Sequence, residues 1–96
     1  MANYRLTQKA DSDIANHYEY GIENFGIDQA QTYMLGFYEH FVSLAENPFF
    51  GRSAEELASG LRRFEYKSHV IFYMPEDGGI LIVRVLRKEM DFTRQF

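Results

Sequence analysis

The sequence predicts an α+β fold, with an N-terminal strand and a helical hairpin packed on an antiparallel sheet in the order β-α-α-β-β-β. Three observations carry that reading. His69–Met74 and Ile80–Leu86 are runs rich in β-branched and aromatic residues, and they flank a Pro75-Glu-Asp-Gly-Gly79 break, which is a β-hairpin pattern. Leu61–Tyr66 alternates ahead of them and makes the hairpin a three-stranded meander. Residues 8–46 instead carry apolar side chains at helical spacing, with one glycine break at Gly26. The chain has 96 residues, enough for a single domain spanning 1–96 with one modest core.

Asn3–Thr7 alternates, with Tyr4 and Leu6 on one face, and reads as the first strand; its place in the sheet stays open. Thr7 is a natural N-cap for a helix over Gln8–Phe25. Asp11 and Asp13 lie near its first turn, where the helix dipole favours them. Gly26 closes it. Asp28-x-x-Gln31 resembles a capping box opening a second helix, whose apolar stripe runs through Phe37, Phe41 and Leu44 until Asn47-Pro48 stops it. So short a connection packs the two helices antiparallel. Phe49 and Phe50 are expected to plug the end of the core. Ser53-x-x-Glu56 reads as a second capping box, opening one or two turns of helix to Ala58. In the hairpin, Gly78 and Gly79 supply positive φ. Arg87–Phe96 is an amphipathic tail.

Composition narrows function. Hydrophobic residues make up 46% and aromatics 17%, which is globular and not disordered. With no cysteine, disulfides and thiolate metal sites are excluded. The N-terminus has no apolar signal region and no run approaches membrane-spanning length, so a cytoplasmic protein without membrane contact is expected. A net charge of −4 argues against direct nucleic-acid binding through phosphate neutralisation. The charge is uneven: residues 1–48 hold two basic residues, Arg5 and Lys9, against seven acidic ones, while residues 49–96 hold eight basic and seven acidic.

The last strand raises a question of cover. Strict alternation puts Leu81, Val83 and Val85 on one face and Ile80, Ile82, Arg84 and Leu86 on the other, so both faces are mostly apolar. A helical hairpin covers one. The other needs either the tail folding back or a second chain, and the expectation is a partner. On exposure logic its contacts would include Tyr18, Phe37, Ile80 and Ile82. Arg84, a charge in an apolar strand, is expected to pair with Glu65 or a helix acid.

Catalytic chemistry finds no motif. His17, His40 and His69 show no HExxH or similar metal spacing and read as surface, boundary and strand-end residues. There is no phosphate loop, no GxSxG and no cysteine nucleophile, so no catalytic residue, metal or cofactor is expected.

Several segments resemble ParE-type toxins of the RelE/ParE superfamily. They are Tyr4-Arg-Leu-Thr-x-x-Ala10-x-x-Asp13-Ile14, Leu44-Ala-Glu-Asn-Pro48-x-x-Gly51-Arg52, Gly60-Leu-Arg-Arg-Phe64, Ser68-His-Val-Ile-Phe-Tyr73 and Ile82-Val-Arg-Val-Leu86-x-x-x-Met90-Asp91. The resemblance covers essentially the whole chain in order. It implies the RelE/ParE fold and the toxin of a type II toxin–antitoxin pair. It also implies a ParD-type ribbon-helix-helix antitoxin whose C-terminal segment wraps the toxin, and DNA gyrase as a target inhibited by binding and not by hydrolysis. On that reading the target would meet Arg84, Arg87, Lys88, Met90 and Phe92. The RelE-like alternative, a ribosome-dependent mRNA endoribonuclease, needs clustered cations and a tail tyrosine; Met90, Phe92 and Phe96 stand there instead.

Overall fold

A computed structural model describes residues 2–96. Its elements are β1 (Asn3–Leu6), α1 (Gln8–Phe25), α2 (Ile27–Glu46), β2 (Arg52–Ser53), β3 (Arg62–Tyr66), β4 (His69–Glu76), β5 (Gly79–Arg87) and a 3₁₀ turn at Phe92–Arg94. The five strands form one sheet in the order β1-β5-β4-β3-β2. β2 to β5 pair antiparallel, while β1 pairs parallel to β5 with Asn3 opposite Gly79 and Leu6 opposite Ile82. The sheet is therefore mixed, because the helical hairpin carries the chain across one face before the meander begins.

Local chemistry explains the boundaries. Thr7 caps α1, its hydroxyl accepting from the Ala10 N–H at 3.0 Å. Gly26, at φ +88°, ends α1 and begins α2. The expected capping box at Asp28 is not formed: Asp28 lies inside α2, which starts without a side-chain cap. Ser53–Ala58 forms hydrogen-bonded turns and no helix, because Arg52 and Ser53 are drawn into pairing with β3. The hairpin turn is Asp77-Gly78, and only Gly78 has positive φ, at +79°. Gly79 is required for space instead, since a Cβ there would land on the Asn3 carbonyl oxygen.

A bulge sorts the faces of β5. Phe72 pairs with Arg84 and Tyr73 with Ile82, which leaves Val83 without an opposite residue and reverses the alternation beyond it. Strict alternation therefore fails at that point. Ile80, Ile82 and Val85 join Phe37, Phe41, Leu44, Ile71 and Tyr73 in the core beneath the helices. Leu86 joins Val70, Phe72, Leu61 and Ala54 in a second core on the opposite face. The chain roofs that second core itself: Leu57, Met90 and Phe92 pack over it, and the Phe92 and Phe96 rings each stand 5.0 Å from that of Phe72. The sheet face expected to await a partner is covered by the 54–61 turns and the tail.

The side of β5 that faces β1 changes its cover past Ile82. The Thr7 N–H donates to the Ile82 carbonyl at 3.0 Å and the Thr7 hydroxyl to the Val83 carbonyl at 2.7 Å. α1 then takes over from the strand. Asp13 accepts from the Val85 N–H at 3.0 Å, and His17 Nε2, one helical turn on, donates to the Val85 carbonyl at 2.7 Å. Both backbone groups of Val85 are thus satisfied by helix side chains.

Candidate partner-binding surface

With the sheet covered, most of the exposed large apolar side chains lie on the helices. Along α2, Met34, Leu35, Tyr38 and Val42 recur at i, i+1, i+4 and i+8 on its outer side, and Leu35 is 63% exposed. Met34, Leu35 and Tyr38 face Ile14, Ala15 and Tyr18 of α1 across a shallow groove of about 600 Å³. A second groove, of about 710 Å³, opens where the hairpin meets the end of β5. Tyr20 and Phe25 wall it, His17, Tyr33 and Leu86 floor it, and Arg87 lies on its rim. The Arg87 guanidinium sits 6.0 Å from the Tyr20 ring centroid and 3.3 Å from Glu89. Asp11 and Asp13 also border these grooves, in the acidic half of the chain.

The floor of the second groove is an aromatic and imidazole cluster. His69 is buried, with its ring centroid 4.2 Å from that of His17 and 5.4 Å from that of Phe37. The Tyr33 hydroxyl lies 2.7 Å from His69 Nδ1, while Nε2 has no partner. Burial, aided by the neighbouring His17 and Arg87 and opposed by Glu89, pushes the His69 pKa down to about 4. The neutral form is therefore the one the fold holds. Its contribution is present above the unfolded pKa of about 6.5 and is lost as pH falls through about 4. Urea unfolding at pH 7 and pH 4.5 should show wild type losing about 2 kcal/mol more than His69→Leu over that interval; parallel losses would remove His69 from the acid response.

The residues singled out in the sequence divide by location. Tyr18 lines the outer groove, half-buried. Phe37, Ile80 and Ile82 are fully buried in the helix-side core and present no surface, because the bulge and the hairpin enclose them. Arg84 is held by Asp13 through two hydrogen bonds of 2.8 and 2.9 Å, with the side chains 14% and 12% exposed. That bond holds its pKa above the usual arginine value. The expected pairing with a helix acid is thus the one formed. Arg87 and Lys88 are exposed; Lys88 lies 3.7 Å from Glu65. Met90 and Phe92 are half-buried in the tail's own packing. Sequence reasoning gave Asp13 only a helix-dipole role and His17 only a surface or boundary place, and it passed over Tyr33 as a partner of His69. The signal for the first two was their i, i+4 spacing on the face that also carries Ala10 and Ile14.

Phe49 and Phe50 do not plug the core. They are 73% and 71% exposed. Among the described residues, no three His, Cys, Asp or Glu side chains gather to hold a metal, and no helix is long and apolar enough to cross a membrane.

Comparison with known proteins places the chain among these relatives. The family model described as "ParE toxin of type II toxin-antitoxin system, parDE" matches residues 4–92. Toxin ParE1 of Mycobacterium tuberculosis (strain ATCC 25618 / H37Rv) is 31% identical over 94 residues, covering 97% of this chain and 96% of the relative. Toxin ParE1 of Caulobacter vibrioides (strain ATCC 19089 / CIP 103742 / CB 15) is 33% identical over 91 residues, covering 95% and 94%. Among solved structures, a chain of the "Chromosomal ParDE TA system from P. aeruginosa" superposes with a TM-score of 0.79 at 22% identity, covering 93% of this chain and 98% of that one.

Proposed function

This chain belongs to the ParE toxin family of type II toxin–antitoxin systems, and on that premise we propose that it inhibits DNA gyrase by binding it and is neutralised by a ParD-type antitoxin seated on the helical hairpin. The observation that carries the antitoxin part is the apolar outer face of α1 and α2. Leu35 and Tyr38 are 63% and 39% exposed in one groove with Tyr18 and Met34, and Val42, 50% exposed, follows one turn beyond Tyr38 on α2. Apolar patches of this kind on a small protein mark interaction sites. The acidic surroundings suit a basic amphipathic segment laid into the groove, with Tyr18 retained as a contact.

For the target, Arg87 and Lys88 are the exposed cations at the end of β5. Arg84 acts through position, since Asp13 occupies its guanidinium, and Met90 and Phe92 support the tail from below. RNA cleavage draws little support from the same residues. Arg62 is spent on the carbonyls of Phe49 and Gly51, Arg63 stacks 5.2 Å from the Phe92 ring centroid, and Arg84 is paired. Of the cations near the end of β5 that leaves Arg87 and Lys88, each beside a glutamate, which is thin support for a pentavalent phosphate.

Two measurements test the reading. Purified toxin should block gyrase supercoiling and accumulate cleaved DNA; intact supercoiling at micromolar excess would overturn the target. The Leu35→Glu, Tyr38→Ser double variant should bind its antitoxin about 30-fold more weakly by calorimetry, whereas unchanged affinity would move the antitoxin off the outer groove.

A further inference from the structure

We propose that the Phe49–Phe50 loop is a preformed aromatic anchor for the toxin's target, inserting into an apolar pocket edged by carboxylates, on a surface separate from the one the antitoxin takes. The proposal rests on the gyrase reading above.

Two adjacent phenylalanines at 73% and 71% exposure need a reason, and the loop that presents them is tied down on every side. The Phe50 N–H donates to the Asn47 carbonyl at 3.0 Å. The Tyr73 hydroxyl, itself fully buried, donates to the Pro48 carbonyl at 2.8 Å and accepts from the Gly51 N–H at 2.9 Å. Arg62 reaches under the loop to the carbonyls of Phe49 and Gly51, and its guanidinium lies 5.1 Å from the Phe49 ring centroid. Gly51 has no room for a side chain, since a Cβ would stand 2.5 Å from the Tyr73 hydroxyl and 2.6 Å from the Arg63 carbonyl. A loop collapsing onto the core would bury its rings. This one is braced from the core side so that they point out.

Bracing matters for binding. Anchors already held in place lose little conformational freedom on association, so more of their desolvation appears as affinity. Aromatic residues and arginine are the groups most enriched at binding hot spots. Here Arg52, its side chain 73% exposed and at 3.9 Å from Glu65 in a loose, solvent-screened pair, is the one charged residue between Asn47 and Ala54. The loop thus offers aromatic rings and positive charge, whereas the outer helical groove has Asp11 as its one charged lining residue. One binding partner does not suit both. A basic segment matches the outer groove; a pocket with carboxylates on its edge matches the loop. The shapes differ in the same sense, because the loop projects and the grooves receive. None of the residues lining either groove comes from the loop.

The test is the Phe49→Ser, Phe50→Ser double variant of the full chain, with Arg52→Glu as an independent second variant. Three quantities are measured: affinity for immobilised gyrase by surface plasmon resonance, affinity for the antitoxin by calorimetry, and thermal unfolding. Because both rings are exposed, unfolding and antitoxin affinity should match wild type. Affinity for gyrase should fall about 30-fold or more in the double variant, and in the same direction in Arg52→Glu. Undiminished gyrase binding by the double variant overturns the proposal. So does a loss of antitoxin affinity, and so does a wild-type dimer in sedimentation that the double variant abolishes, which would give the loop to a second copy. Wild-type toxin that does not bind gyrase is a different result and overturns the target reading itself.

Discussion

Arg84→Ala is expected to lose about 3–5 kcal/mol of folding stability, because it leaves a buried carboxylate without its counter-charge. Asp13 and Arg84 are both largely enclosed, and their two hydrogen bonds are short and parallel. An exposed ion pair such as Arg5–Glu76, whose arginine side chain is 67% exposed, should contribute far less, because water screens it. The two can be compared by urea unfolding of Arg84→Ala and Arg5→Ala. A loss below about 1 kcal/mol for Arg84→Ala would mean that water reaches Asp13 readily. Pairing Arg84→Met with Asp13→Asn should recover much of the loss. The amide oxygen can still accept from the Val85 N–H, and no unpaired charge remains. Loss of toxicity in Arg84→Ala therefore needs a stability measurement beside it before it speaks to target contact.

Gly79→Ala should be nearly as damaging, at about 3 kcal/mol. The added methyl would collide with the Asn3 carbonyl, which belongs to backbone and cannot turn aside. The expected consequence is β1 displaced from β5, seen as faster amide exchange at Asn3 and at Thr7, whose N–H groups bond to Gly78 and Ile82. Gly78→Ala offers the contrast. It meets an unfavourable positive φ but open space, and should lose about 1 kcal/mol with β1 still docked. Equal losses from the two would show that the contact with Asn3 relaxes.

Much of the fold was legible in the sequence because it rests on periodicity and caps. The two helices, their junction at Gly26, the Thr7 cap and the β3–β4–β5 meander all come from local signals. What escaped rests on tertiary choices. The bulge opposite Phe72 and Tyr73 has no sequence mark, yet it moves Val85 beneath the helices and Leu86 to the far face. The tail could be read as amphipathic, but not as the roof over Phe72. That competition between self-cover and a partner is decided by geometry. It also limits what removing residues after Leu86 would reveal, since the second core would open together with any lost contact. Phe49 and Phe50 escaped for the opposite reason. Large aromatics usually find burial, and only the bracing from Tyr73 and Arg62 shows why these two do not. At the candidate surface, Tyr18 was legible as a surface aromatic, whereas the neutral His69 depends on three elements meeting.

The hold of α1 on Val85 has an evolutionary corollary. Where a neighbouring strand would share the task among many peptide units, here two side chains bear it, Asp13 and His17, so a single codon change can unfasten the helix. Bacteria selected to survive unopposed toxin would accumulate lesions at this seam as readily as on any docking face. Attenuated alleles would then be commoner than a map of contacts alone suggests.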